Sequence, residues 1–239
     1  PPGLASIERL DKALRAHPVH RCPEREGHAR AGHEWARLDR ELSGVLERVD
    51  SRTNSVAKRF DKVCTVLEGL GFLDGDRVTA RGQQLRRVFG ERDLVVMEAL
   101  AEGAWEGLSA AEFAAIVSTC VFESRQEEPG SLPEGGIPRG LLGAWEKTLA
   151  AAARVREAEW AAGLEPGPQP DPGLLVACLA WANGAALSTA VEDTQMQGGD
   201  FVRWIRQVVD LLDQLRGLDD AALARKARAA RDLLIRGVV

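Results

Sequence analysis

Between residues 201 and 215, Phe201, Trp204, Ile205, Val208, Leu211, Leu212 and Leu215 recur three and four positions apart. They gather on one face only if the segment is an α-helix, whose period is 3.6 residues. The opposite line, Arg203, Gln207, Asp210 and Gln214, is polar throughout, with Arg206 beside it. The same period returns at Leu4, Ile7, Leu10 and Leu14, at Trp35, Leu38, Leu42, Val45, Leu46 and Val49, and at Val56, Phe60, Val63, Val66, Leu67 and Leu70. The clearest β signal lies in residues 72–79, where Asp74-Gly75 sits between short apolar flanks and reads as a tight hairpin. Alanine, leucine, arginine and glutamate dominate, all good helix formers, and tyrosine is absent. The expected fold is therefore mostly all-α: a helical bundle with a helical arm and at most one short β-hairpin.

Punctuation divides the helices. The stretch from His17 to His28 carries two prolines and cannot continue a helix. Separate helices are expected over residues 28–49 and 54–70, the first with a narrow apolar stripe suited to packing on a single partner. Further helices are expected at 92–102 and 109–121, the latter opened by a Ser109/Glu112 capping box. A loop over 127–140 precedes a helix at 140–162, and a proline-rich connector follows at 164–173. The C-terminal part reads as helices at 174–181 and 187–194, a Gly198-Gly199 turn, a helix to 215 capped by Asp200, and a last helix over 219–236. A short helix, a glycine turn and a longer helix give a helix-turn-helix outline. Two regions follow: an arm, residues 1–60, and a bundle, residues 61–239.

The 239 residues carry a net charge of −5, concentrated in the middle: +3 over residues 1–60, −7 over 61–170 and −1 over 171–239. No like-charge block marks a nucleic-acid tail. The four cysteines, at 22, 64, 120 and 178, are too scattered for a disulfide framework and read as reduced thiols of a cytoplasmic protein. No apolar run is long enough to span a membrane, and an opening Pro1-Pro2-Gly3 without Met implies a piece of a longer chain. Phosphate-loop, dinucleotide, nucleophile-elbow and HExxH motifs are absent, so no catalytic site is expected in this chain. His17, His20, Cys22, His28 and His33 fall within seventeen residues and offer zinc ligands, though their spacing matches no common finger. The plainer alternative is a proline-fixed turn with solvated histidines.

The polar line of residues 200–215 is the second candidate site. Arginine and glutamine on one ridge can reach phosphates, sugars and bases, whereas a merely solvated helix face would look similar. A helix-turn-helix DNA-binding regulator and a protein-interaction scaffold without nucleic-acid binding are the competing readings.

Several motifs in order carry a resemblance. Residues 91–125, ERDLVVMEALAEGAWEGLSAAEFAAIVSTCVFESR, resemble the C-terminal, or DSHCT, domain of superkiller-type DExH-box RNA helicases. Upstream, residues 67–82, LEGLGFLDGDRVTARG, look like that family's hairpin, and downstream, AWANGAALSTAVEDTQMQGGDFVRWIRQVVDLLDQL is similar to its tryptophan, glycine and arginine pattern. The His17–His28 turn and the SRTNSVAKRFDKV segment look most like the actinobacterial branch. The resemblance implies the C-terminal part of an ATP-dependent RNA helicase, ending a few residues short of the usual family end. ATP and Mg²⁺ would be held by motor domains outside this chain, with no cofactor in the chain itself. Residues before about 50 would be the return from an inserted arch or stalk. The implied partners are single-stranded RNA, the motor domains of the same parent chain, and RNA-degradation or RNA-processing proteins, with no membrane. The implied RNA-binding residues are Arg203, Arg206, Gln207 and Asp210, on what the family calls its ratchet helix. Arg203 matches the family arginine after the glycine turn. A second arginine, one turn on in relatives, is Gln207 here, and a family glutamate is Asp210.

Overall fold

The computed structural model describes residues 4–124, 132–133, 135–192, 194 and 196–239, and the side chains of these except 4–8, 20–21, 47–48 and 50–54. The chain divides into two compact units, residues 1–58 and 59–239.

The first unit contains helix α1 (Leu4–Ala16), a short 3-10 turn (Pro18–Arg21), and the greater part of helix α2 (Arg25–Gly69). The 3-10 turn is shaped by Pro18, whose ring fits a first helical position, and by His17, whose Nδ1 accepts from the Val19 amide at 3.3 Å. Two separate helices were expected over 28–70, but α2 runs through residues 50–53 without a break. No proline interrupts it, and polar residues such as Ser51, Thr53 and Asn54 cost a helix interior well under 1 kcal/mol each. Trp35, Leu38, Leu42, Val45, Leu46 and Val49 are all largely exposed.

In the second unit the chain leaves α2 through Gly71 at φ +75 and forms a hairpin of β1 (Leu73–Asp74) and β2 (Arg77–Val78). The strands are antiparallel, with Leu73 opposite Val78 and Asp74 opposite Arg77. Gly75 takes φ +56 at the first central position of the turn, as a type II′ turn requires. Thr79 then caps α3 (Ala80–Leu85), a helix outside the sequence expectation, by accepting from the Gly82 amide.

Helices α4 (Asp93–Ala101), α5 (Ala110–Thr119) and α6 (Arg139–Ala161) follow, then α7 (Leu175–Ala182), α8 (Leu187–Val191), α9 (Gly198–Arg216) and α10 (Ala221–Leu234). Part of the expected 127–140 loop lies outside the described residues. The expected capping box is present: Ser109 and Glu112 satisfy each other's backbone amides. The unit is built around α5, on which α6, α7, α9 and α10 pack, while α4 packs on α6 and α9 on α10. Every residue from Phe113 to Thr119 is buried. This is possible because its polar members, Ser118 and Thr119, return their hydroxyls to the Ala115 and Ile116 carbonyls at 2.7 Å each. The fold is thus mostly all-α, with a two-stranded antiparallel sheet among the described residues. Also among the described residues, no helix is long and apolar enough to cross a membrane.

Candidate nucleic-acid interface

The α9 stripe behaves as its spacing demands. Phe201, Ile205, Val208, Leu211, Leu212 and Leu215 are buried against the bundle. Each contributes about 1.5–3 kcal/mol of apolar burial, so the helix is held firmly by one face and leaves the other to solvent. Two details differ from expectation. Gly198 and Gly199 lie inside the first turn of α9 rather than before it, because glycine accepts helical angles as readily as turn angles. Asp200 is therefore not the cap; it sits within the first turn, where the helix dipole favours a carboxylate. Trp204, expected in the buried face, is only half-buried, its ring edge-to-face with Phe122 at 5.2 Å.

Arg203, Arg206, Gln207 and Asp210 are all exposed. With Gly199 and Val202 they line one open depression of about 420 Å³. The Arg203 side chain, 57% exposed, pairs with Asp200 at 3.4 Å across one helical turn, and its guanidinium lies 5.2 Å from the Trp204 ring centroid. An exposed pair of this kind is worth at most about 1 kcal/mol, so an incoming phosphate can replace the aspartate at little cost. Arg206 reaches the Val238 carbonyl at 3.5 Å, the outer limit of a hydrogen bond. Gln214 donates to Asp210 Oδ2 at 3.1 Å, one turn back. Over its whole length α9 carries three arginines and three aspartates. Attraction for a polyanion is therefore local to the Arg203–Arg206 end.

A second groove, about 340 Å³, borders the first. It shares Gln207 and Asp210 with it and adds Trp204, Leu211 and Gln214 from α9, Glu123, and Phe89, Gly90 and Glu91 from the α3–α4 loop. The Phe89 amide donates to Gln214 Oε1 at 2.7 Å. Phe89 had no signal in the sequence, where Val88-Phe89 reads as an ordinary apolar pair.

The histidine-rich turn does not assemble a metal site from what is described. Cys22 Sγ and His28 Nδ1 approach to 3.5 Å, and the side chain of His20 lies outside the described residues. Among the described residues no three or more His, Cys, Asp or Glu side chains come together as ligands. The sequence contains no glycine-rich phosphate loop with its lysine.

The DSHCT (NUC185) domain profile matches residues 75–239, which is most of the chain and the whole of α9. The chain belongs to the DSHCT domain family. The chain is similar to a protein named Probable helicase HelY, from Mycobacterium tuberculosis, at 36% identity over 98% of this chain and 27% of that protein. Human Exosome RNA helicase MTR4 is 23% identical over 89% of this chain and 20% of its own length. Mouse Superkiller complex protein 2 is 26% identical over 86% and 17%. The chain thus spans about a quarter, 27%, of the length of the HelY relatives it matches.

Proposed function

We propose that this chain is the C-terminal accessory domain of an ATP-dependent RNA helicase, and that α9 holds single-stranded RNA while motor domains elsewhere in the parent protein cycle. The observation that carries the reading is the exposed Arg203–Arg206–Gln207–Asp210 depression on a helix otherwise anchored in the core, within the DSHCT-matched segment. Arg203 and Arg206 would meet phosphate, and Gln207 and Asp210 would meet sugar or base edges. ATP and Mg²⁺ belong to the motor in this reading, and this chain supplies grip and channel shape. RNA-processing or RNA-degrading proteins would be partners of the parent assembly, as the name of the human relative suggests.

The test is equilibrium binding of the chain to single-stranded RNA and to duplex DNA at two salt concentrations. Single-stranded RNA is expected to bind more tightly. Each charge-assisted contact contributes about 1.5–3 kcal/mol, so Arg203→Ala should weaken RNA binding at least ten-fold without moving the thermal midpoint. Preference for the duplex would favour a helix-turn-helix DNA regulator, and no binding to either would favour a protein-interaction scaffold. In the parent helicase, normal unwinding by Arg203→Ala would also overturn the assignment.

A further inference from the structure

Phe89 stands out as an exposed aromatic residue on an anchored backbone. It is 73% exposed, and scattered exposed apolar residues ordinarily need no explanation. Here, however, the backbone leading into it is pinned. Arg87, two residues earlier, donates to the Gly217 carbonyl and to Asp219 Oδ1, both at 2.7 Å. Val88 is buried, 2% exposed. The Phe89 amide itself is held by Gln214 Oε1. The ring is therefore presented from a supported backbone, which is what a preorganised contact needs.

Its position relative to the arginines is equally specific. Arg203 and Gln214 are eleven residues apart on α9, about 16 Å of helix rise. Gln207 and Asp210 line both depressions. At the Phe89 end the groove is lined by Glu91, Glu123 and Asp210, while Arg92, also in its lining, is 5% exposed with its Nε given to the Gln169 carbonyl. Carboxylates repel a phosphate but accept hydrogen bonds from base N–H groups. Trp204 is a weaker platform, because Phe122 meets its ring and the Arg203 guanidinium lies over it.

We infer that Phe89 is a base-stacking platform for single-stranded RNA, taking a nucleobase at the Gln214 end of α9 while phosphate is held at the Arg203–Arg206 end. This rests on the reading of α9 as an RNA contact and adds a residue outside that helix. Base–aromatic stacking depends on the base and not on the backbone charge, and that difference separates Phe89 from the arginines in an experiment.

The probe is a fluorescein-labelled single-stranded RNA of about a dozen nucleotides, compared by anisotropy with an abasic ribose-phosphate strand of the same length, using the full chain. Phe89→Ala should weaken binding of the intact RNA about 5- to 100-fold. It should leave the abasic strand within about two-fold and the salt dependence unchanged, since no phosphate contact is lost. Phe89→Trp should bind the intact RNA at least as well as the parent. Arg203→Ala should weaken both strands alike and reduce the salt slope by about one. If Phe89→Ala binds intact RNA as the parent does while Arg203→Ala is weakened, the stacking role is refuted and the RNA reading stands. Equal loss on intact and abasic strands, or loss in Phe89→Trp, also refutes stacking. If the unaltered chain binds neither strand, the RNA reading itself fails and takes this inference with it.

Discussion

Replacing Glu98 by alanine should loosen three elements at once. Its side chain, 8% exposed, sits on α4 and ion-pairs with Arg81 of α3 and, at 3.7 Å, with Arg154 of α6. Arg154 pairs also with Glu102, and Arg81 donates to the Leu70 carbonyl at 3.0 Å at the end of α2 and covers the Phe72 ring at 4.5 Å. Removing one partner of a fully buried pair costs about 3–5 kcal/mol, because the remaining charge is stranded. Arg81 and Arg154 are 32% and 37% exposed, so water recovers part of that loss. The expected cost of Glu98→Ala is about 2–3 kcal/mol, a fall in thermal midpoint of about 4–12 °C for a chain of this size. Glu98→Gln, which keeps the volume and one acceptor, should lose less than Glu98→Ala. Adding Arg154→Ala should cost less than the sum of the two single losses, since both single variants remove the same Glu98–Arg154 pair. Urea unfolding followed by helical circular dichroism measures all three. A loss below about 1 kcal/mol for Glu98→Ala, or strict additivity with Arg154→Ala, would refute the view of Glu98 as a shared buried node.

Other expectations follow from close approach and burial. A Cβ at Gly82 would lie 2.2 Å from the Phe72 carbonyl oxygen and 2.8 Å from Val78 Cγ1. That carbonyl is fixed by the Thr79 amide and hydroxyl, each at 3.1 Å. Gly82→Ala should therefore destabilise by about 1–3 kcal/mol, and a parent-like unfolding midpoint would contradict the packing of the hairpin on α3. Burial pushes the thiols of Cys120 and Cys178 up from an ordinary 9.0 to about 11 and about 12. Native protein at pH 8 should alkylate at the half-buried Cys22 and Cys64 and not at these two, as mass spectrometry of the labelled peptides would show. Because their folded pKa values lie above the unfolded one, the stability they confer is complete below pH 9. It is lost as pH rises toward 11–12, so the denaturant midpoint should fall over that range, and Cys→Ser variants should lack the thiols' part of that fall.

Much of the local structure was legible because it is written in short-range chemistry. The Ser109/Glu112 box spans four residues, the hairpin turns on Asp74-Gly75, and the α9 stripe repeats with the helical period. The continuity of α2 escaped the reading because the polar stretch at 50–54 looks like a break, although each of its residues is tolerated in a helix. Helix α3 escaped it because six residues are too few to show a period, and its start depends on Thr79 turning back to Gly82.

The candidate interface divides in the same way. That Arg203, Gln207 and Asp210 share a face of α9 follows from the helical repeat alone, since positions three, four and seven apart must line up. What covers a face, and how completely, depends on segments far away in the chain. Trp204 belongs to the apolar stripe by spacing, yet is only half-buried because Phe122 reaches one part of its ring. Val88 and Phe89 are neighbours of similar polarity, and the bundle buries one while leaving the other 73% exposed. The anchor that decides this, Gln214, lies 125 residues on. Sequence period determines the order and orientation of side chains along one helix; only tertiary packing, through contacts made across long stretches of chain, decides which of them remain available to a ligand.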